Sequence, residues 1–183
     1  CQAFPDLYHA VCDYNKGKEE ADHFKCLYGA EMNIVNDDVD LIFNNENYNF
    51  LTDTFVVFDT ETTGFYAGYD QMIEIGAVKI QNGEIIDRFD ELIDPKRPIP
   101  RKITELTFIT DEMVKGKDSE ENVTKRFLEW AEDLPMVAHN AKFDISFMKA
   151  ACNKYGFEEF DKTVVDTMGL ARYMHPEWPN HKL

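Results

Sequence analysis

The sequence predicts an α/β domain in which a mixed sheet is covered by helices. Three observations lead there. Phe55-Val56-Val57-Phe58 is a short apolar run between polar residues, as in a central strand. Two longer strand-like runs flank Gln81-Asn82-Gly83, where Asn-Gly is a strong hairpin signal. Beyond residue 120, short apolar runs alternate with helical spacing. Hairpin-joined strands followed by strand–helix pairs imply a mixed sheet.

Residues 1–54 differ from the rest, with eleven acids against three bases. Phe4, Leu7, Tyr8 and Val11 fall at helical spacing, predicting an amphipathic helix that ends near Asn15-Lys16-Gly17. After a polar run from Lys16 to Asp22, residues 26–35 read as a buried strand and Leu41 to Phe43 as a weaker one, with an Asn- and Asp-rich turn between them. Nothing in this segment closes a core by itself. From Thr54 onward the pattern is clearer: a strand at Phe55 to Phe58, a break at Gly64, and strands from Met72 to Ile80 and Ile85 to Ile93. Val123, Phe127, Trp130 and Leu134 mark a helix. Met136-Val137-Ala138 then leads into a helix marked by Phe143, Phe147, Ala150 and Ala151, and Val164-Val165 into a helical stretch from Thr167 to Tyr173.

The 183 residues are 44% apolar, 13% aromatic and 30% charged, a globular composition that excludes collagen-like, low-complexity and wholly disordered chains. A net charge of −16 is the wrong sign for gripping nucleic acid by neutralising phosphates. Carboxylates in such number serve solubility, or hold divalent cations that bridge an acidic protein to an acidic substrate; composition leaves both open. Cys1, Cys12, Cys26 and Cys152 form no C-x-x-C pair and no disulfide framework, so reduced thiols in a cytoplasmic protein are expected. No apolar run approaches the length of a membrane span, and no basic segment followed by an apolar one marks a secretion signal. The chain starts without methionine and stops at Asn180-His181-Lys182-Leu183, within what reads as a continuing segment, so a piece of a longer protein is expected.

Two segments carry candidate chemistry. Asp59-Thr60-Glu61 ends the first apolar strand, and the two-residue period of a strand puts both carboxylates on one face, where they can share a metal. Thr62-Thr63-Gly64 follows as a turn expected to present backbone N–H groups and hydroxyls to a ligand. The second segment is His139-Asn140-Ala141-Lys142-Phe143-Asp144, between an apolar run and a helix. There Asn140 is an expected N-cap, and Asp144 projects from the first turn, where it also complements the helix dipole.

Together, Asp59-Thr60-Glu61-Thr62-Thr63-Gly64 and His139-Asn140-Ala141-x-Phe143-Asp144 resemble the first two motifs of the DEDD (DnaQ-like) family of 3′→5′ exonucleases, whose fold is ribonuclease-H-like. Ile73-Glu74-Ile75-Gly76-Ala77-Val78 and Leu106-Thr107-x-Ile109-Thr110 match that family in order and spacing, so the resemblance covers about Phe55 to Leu183. It implies that Asp59, Glu61 and Asp144 hold two Mg²⁺ or Mn²⁺ ions that activate water and stabilise the leaving 3′ oxygen. It further implies that Thr62, Thr63 and Gly64 lie against the terminal nucleotide, and that Asn140 and Phe143 shape its pocket. Asp166 matches a recurrent acidic position and reads equally as a support residue or an N-cap. Two departures stand out. The third motif, His with Asp five positions later, is not found: after Asp144 the histidines are His175 and His181, and position 180 is Asn180. A chain without that general base is expected to be inactive or weak. Phe108 stands where the family has Gly.

The N-terminal segment adds a second resemblance. Gln2-Ala3-Phe4-Pro5 and the run from Tyr28 to Asp38, passing directly into the exonuclease strand, resemble the PolC-type family of bacterial replicative polymerases. There the exonuclease is inserted within a polymerase-and-histidinol-phosphatase (PHP) domain. This resemblance implies a partial PHP-like segment at residues 1–54 and a C-terminally incomplete exonuclease domain at 55–183. Glu31 matches a metal-ligand position of the PHP domain, without its histidine partners. The implied function is proofreading: removal of mispaired nucleotides from DNA 3′ ends, with the remainder of the polymerase chain and the replisome as partners. The alternatives are a free-standing exonuclease on DNA or RNA ends, and a noncatalytic nucleic-acid-binding relic.

Overall fold

The structure is a computed structural model, and it describes residues 3–25, 41–44, 48–49 and 52–181. The chain divides into two compact units, Cys1–Asp37 and Asp38–Leu183. In the first, helix α1 (Ala3–Asn15) ends where the sequence predicts, and a 3₁₀ turn follows at Glu20–Asp22. The Asn15 side-chain amide holds Phe24 through both of its backbone polar groups: Asn15 Oδ1 accepts from Phe24 N (2.8 Å) and Asn15 Nδ2 donates to Phe24 O (2.9 Å). The strand expected over residues 26–35, and Glu31 with it, lie outside the described residues.

The second unit is a six-stranded mixed sheet in the order β1-β6-β5-β2-β3-β4. Strands β2 (Phe55–Thr62), β3 (Met72–Gln81) and β4 (Glu84–Leu92) form an antiparallel meander. Asn82 and Gly83 turn its second hairpin with φ of 52° and 80°, the left-handed pair that a two-residue turn demands. Strand β5 (Met136–Ala138) lies parallel to β2, and β6 (Val164–Asp166) parallel to β5. Strand β1 (Ile42–Phe43) adds antiparallel to β6, so the weaker strand read near Leu41 is a sheet edge. This is the ribonuclease-H-like arrangement that the resemblance implied.

Helices follow from local signals. α2 (Arg101–Thr107) and the single turn α3 (Asp111–Val114) lie between the meander and α4 (Glu120–Ala131). Ser119 N-caps α4, accepting from Asn122 N, with Glu120 and Glu121 in the first turn at the positive end of the dipole. α5 (Lys142–Tyr155) ends at Gly156, which takes the left-handed conformation at φ 71°. α6 (Thr167–Met174) starts on the side chain of Asp166.

Alternation along β2 sends Val56, Phe58 and Thr60 to one face, where Val56 and Phe58 join Ile75, Ala77 and Phe89 against Val123, Phe127 and Ala131 of α4 and Phe147, Met148 and Ala151 of α5. Polar groups fasten α4 to the hairpin at the rim of this core: Arg126 pairs with Glu91, and Trp130 Nε1 donates to Asp87 (2.8 Å). The opposite face carries Val57, Asp59 and Glu61. At one end of that face a second cluster, Ile73, Ile99, Ile103, Ile109 and Val114, packs with Leu92.

Candidate active site

Asp59 and Glu61 leave the same face of β2, as a two-residue period requires. Asp144 arrives from the first turn of α5 and is 1% exposed. Its Oδ1 accepts two hydrogen bonds from one residue, Thr60 N at 3.0 Å and Thr60 Oγ1 at 2.7 Å. The third carboxylate is thus fastened to the residue between the other two.

The electrostatics agree. Burial pushes the Asp144 carboxyl up to about 7, with the Asp59 charge adding to the rise and the Thr60 bonds opposing it. Asp59 is raised by lost hydration, partly offset by His139 and by the Thr60 N–H. Glu61 is raised by burial, then by Asp59 and Glu74. Glu74, directly across from Glu61 in the β2–β3 register, is raised by burial, by Asp90 and by Asp59. Four carboxylates on three adjacent strands therefore repel one another, with a fifth, Asp144, beneath them. No Lys or Arg among the described residues forms an ion pair with Asp59, Glu61, Glu74 or Asp144. Sequence reasoning misses Glu74 and Asp90 as members of this group. The Asn-Gly hairpin is the signal that could find them, since it fixes the register of β3 and β4 and so sets Asp90 beside Glu74.

The remaining expected residues are placed with less exposure than the sequence suggests. Thr62 and Thr63 are 5% and 2% exposed. Thr62 Oγ1 donates to Gly64 O (2.6 Å), Thr63 N donates to Gln71 O (2.8 Å), and Thr63 Oγ1 accepts from Gln71 N (3.1 Å). The hydroxyls expected to face a ligand are consumed by the turn that follows β2, because buried hydroxyls have to be satisfied within the protein. Gly64 sits against Asp70, whose carboxylate also takes Tyr66 N (3.0 Å) and Arg97 (3.2 Å). Asn140 is not the N-cap. It is left-handed at φ 64°, the cap position falls on Ala141, and the Asn140 N–H donates to Asp166 Oδ1 (3.0 Å). Asp166 is both cap and support: the same oxygen accepts from Met168 N (2.9 Å) and Gly169 N (3.4 Å) at the start of α6. Phe143 is half-buried and packs edge-on against Phe65, with ring centroids 6.4 Å apart.

His139 lines an apolar cavity of about 370 Å³ together with Asp59, Val57, Gly76, Val78 and Val137. Thr167 Oγ1 donates to Ala138 O (3.2 Å), so His139 Nδ1–H is the donor in its 3.0 Å contact with Thr167 Oγ1. His139 Nε2 is buried and has no hydrogen-bond partner. Of the later histidines, His181 Nε2 lies 2.8 Å from His175 O, and His175 stacks on Trp178 with centroids 4.1 Å apart.

The family model for exonucleases of the RNase T type matches residues 56–183. The chain belongs to this exonuclease family. Across its whole length it is also similar to PolC-type DNA polymerase III proteins: 44% identical over 182 residues to that of Listeria welshimeri and 43% to that of Bacillus cereus. It covers 12% of each, so this exonuclease-family chain spans about an eighth of the curated relatives it matches. Among solved structures, exonuclease I in an ExoI/SSB-Ct complex superposes with a TM-score of 0.63 at 17% identity, covering 70% of this chain and 32% of that one. E. coli exonuclease I bound to a dT13 oligonucleotide gives 0.62 at 17% identity, covering 70% and 32%. At that identity these likenesses show the shared fold.

Divalent-metal chemistry is general in exonucleases of this type, and the donor set here fits it. Carboxylates are hard oxygen ligands suited to Mg²⁺ and Mn²⁺, and a group of them raised by mutual repulsion and burial is what a cation would relieve. The fit is one of donor type: among the described residues no group of three or more His, Cys, Asp or Glu side chains stands close enough together to hold a metal ion as placed. No helix among the described residues is long and apolar enough to cross a membrane.

Proposed function

We propose that this chain carries most of a 3′→5′ exonuclease that proofreads for a bacterial replicative DNA polymerase in the cytoplasm. It would act on DNA 3′ ends beside the remainder of the polymerase chain and the replisome, with residues 1–54 forming part of a PHP-like segment. One observation carries the reading: Asp144 is tied to Thr60 between Asp59 and Glu61, and all three carboxylates are raised with no Lys or Arg among the described residues paired to them. The similarity to PolC-type relatives over 182 residues supports the polymerase setting.

Asp59, Glu61 and Asp144 would hold two Mg²⁺ or Mn²⁺ ions. Bound there, the ions supply an activated water and charge stabilisation for the leaving 3′ oxygen. The chain's own residues do the rest. Thr60 fixes the Asp144 carboxyl through two hydrogen bonds and lowers the cost of ionising it. Asp166 holds the Asn140 turn that leads into α5, so Asp144 enters the site at a set position. The Phe65–Phe143 pair forms an apolar wall next to Asp144 in sequence, suited to the flat face of a terminal base. Thr62, Thr63 and Gly64 shape the loop behind it rather than donating from it.

The test is Asp59→Ala and Asp144→Ala in the full-length natural protein. Each is expected to lower Mg²⁺-dependent release of 3′ nucleotides by at least about a thousandfold while leaving the fold intact. Undiminished excision would overturn the assignment.

A further inference from the structure

Helix α2 ends on Phe108, which adopts φ 62° and ψ 8° as its C-terminal cap. That left-handed position suits Gly, and a bulky side chain there is strained. The ring gains nothing from packing in return, because Phe108 is 80% exposed and Leu106 beside it 66% exposed. An unfavourable backbone held by a residue whose ring is mostly exposed points to a contact made with something else.

Its position says what. The next residue, Ile109, is 3% exposed and packs in the cluster that contains Leu92. Leu92 is the register partner of Glu74, and Glu74 of Glu61. The turn that carries Phe108 is therefore anchored at the acid-bearing end of the sheet. The approach to it is basic: Lys96, Arg97, Arg101 and Lys102 fall within seven residues, the densest run of bases in a chain of net charge −16. Lys96, Arg97 and Arg101 each share their charge with an acid, so phosphate attraction here is weak. Stacking on a ring does not depend on net charge and tolerates any base.

We infer that Phe108 is a specificity-determining contact, an exposed ring on which an unpaired nucleobase of the incoming strand stacks beside the carboxylates. This rests on the exonuclease reading above. A paired end offers only the outer face of its last pair, held in the duplex, whereas an unpaired base can swing onto the ring, so the contact favours frayed or mismatched 3′ ends over paired ones.

The experiment compares parent, Phe108→Gly and Phe108→Trp. Thermal midpoints are taken on the 183-residue chain, and Mg²⁺-dependent excision of a single-stranded oligonucleotide and of a paired duplex end on the full-length natural protein. Phe108→Gly should raise the midpoint by about 2–4 °C through relief of the left-handed strain. It should also raise KM for the single strand about fivefold or more, with kcat within about twofold and duplex kinetics unchanged. Phe108→Trp should keep the parental KM. Normal excision by the parent with an unchanged KM in Phe108→Gly overturns this inference alone, as does an equal change on both substrates. Absence of excision by the parent overturns the exonuclease reading and this inference with it.

Discussion

Replacing Asp144 by Asn should stabilise the metal-free protein, and only at neutral or higher pH. In the fold the Asp144 carboxyl titrates at about 7, against 3.8 for an ordinary Asp. Because the folded state holds its proton more tightly than the unfolded one, stability falls as pH rises from about 4 and the cost is complete just above pH 7. A shift of that size corresponds to a ceiling of about 4 kcal/mol, and shared titration with Asp59 brings the expected value to about 2–4 kcal/mol. The amide introduced by Asp144→Asn carries no charge at any pH and keeps an oxygen for both Thr60 bonds. Urea unfolding in EDTA should therefore give matching stabilities for parent and Asp144→Asn near pH 4, and a gap of about 2–4 kcal/mol in favour of the variant at pH 8. Adding Mg²⁺ at pH 8 should close the gap by stabilising the parent alone. Parallel pH profiles would refute the reasoning, since they would mean that the buried carboxyl is ionised without cost.

Three further outcomes follow from the loops and helices that set the site. Gly64→Ala places a Cβ 2.4 Å from Asp70 Oδ2 and 2.6 Å from its Cγ, so Asp70 must release Tyr66 N or Arg97; a loss of about 1–3 kcal/mol in urea unfolding is expected, and an unchanged midpoint would contradict the contact. Glu120 is 7% exposed and accepts from Met72 N (3.0 Å), Lys154 Nζ (2.8 Å) and Tyr155 Oη (2.8 Å), joining β3, α4 and α5. Glu120→Gln should cost about 2 kcal/mol and Glu120→Leu more; thermal midpoints that fail to rank in that order would count against the junction. Asp166→Ala removes the cap of α6 and the partner of Asn140 N, with an expected loss of about 2 kcal/mol that Asp166→Asn partly recovers. If Asp166→Ala abolished excision at full stability, Asp166 would belong among the catalytic acids instead.

What is legible in the sequence is what local chemistry decides. Asn82-Gly83 allows few conformations other than a tight turn, and Asp59-Thr60-Glu61 at the end of an apolar strand has to put both acids on one side. The helix marked by Val123, Phe127 and Trp130 needs only its own periodicity. Less legible is whatever depends on partners distant in sequence. Thr63 reads as a ligand-facing hydroxyl because nothing nearby announces Asp70 and Arg97, which take it up. Asn140 reads as an N-cap because its residue type favours one, yet it is left-handed and its N–H goes to Asp166, 26 residues further on. α2 is hidden because its apolar residues, Ile103 and Leu106, face a small side cluster and solvent rather than the main core. Glu74 meets Glu61, and Asp90 meets Glu74, only once three strands are in register.

The bond from Thr60 to Asp144 joins residues 84 apart in the chain, which gives assembly of the site a direction in time. The β2–β3–β4 meander closes through short connections and can form as soon as it has been synthesised, whereas β2–β5 pairing must first close a long loop. At a synthesis rate of roughly 5–20 residues per second, Thr60 precedes Asp144 by about 4–17 s. During that interval the growing chain holds Asp59 and Glu61 on a formed hairpin with no third carboxylate beside them. The nascent chain is thus a scaffold first, and its three carboxylates come together only when the parallel half of the sheet has docked.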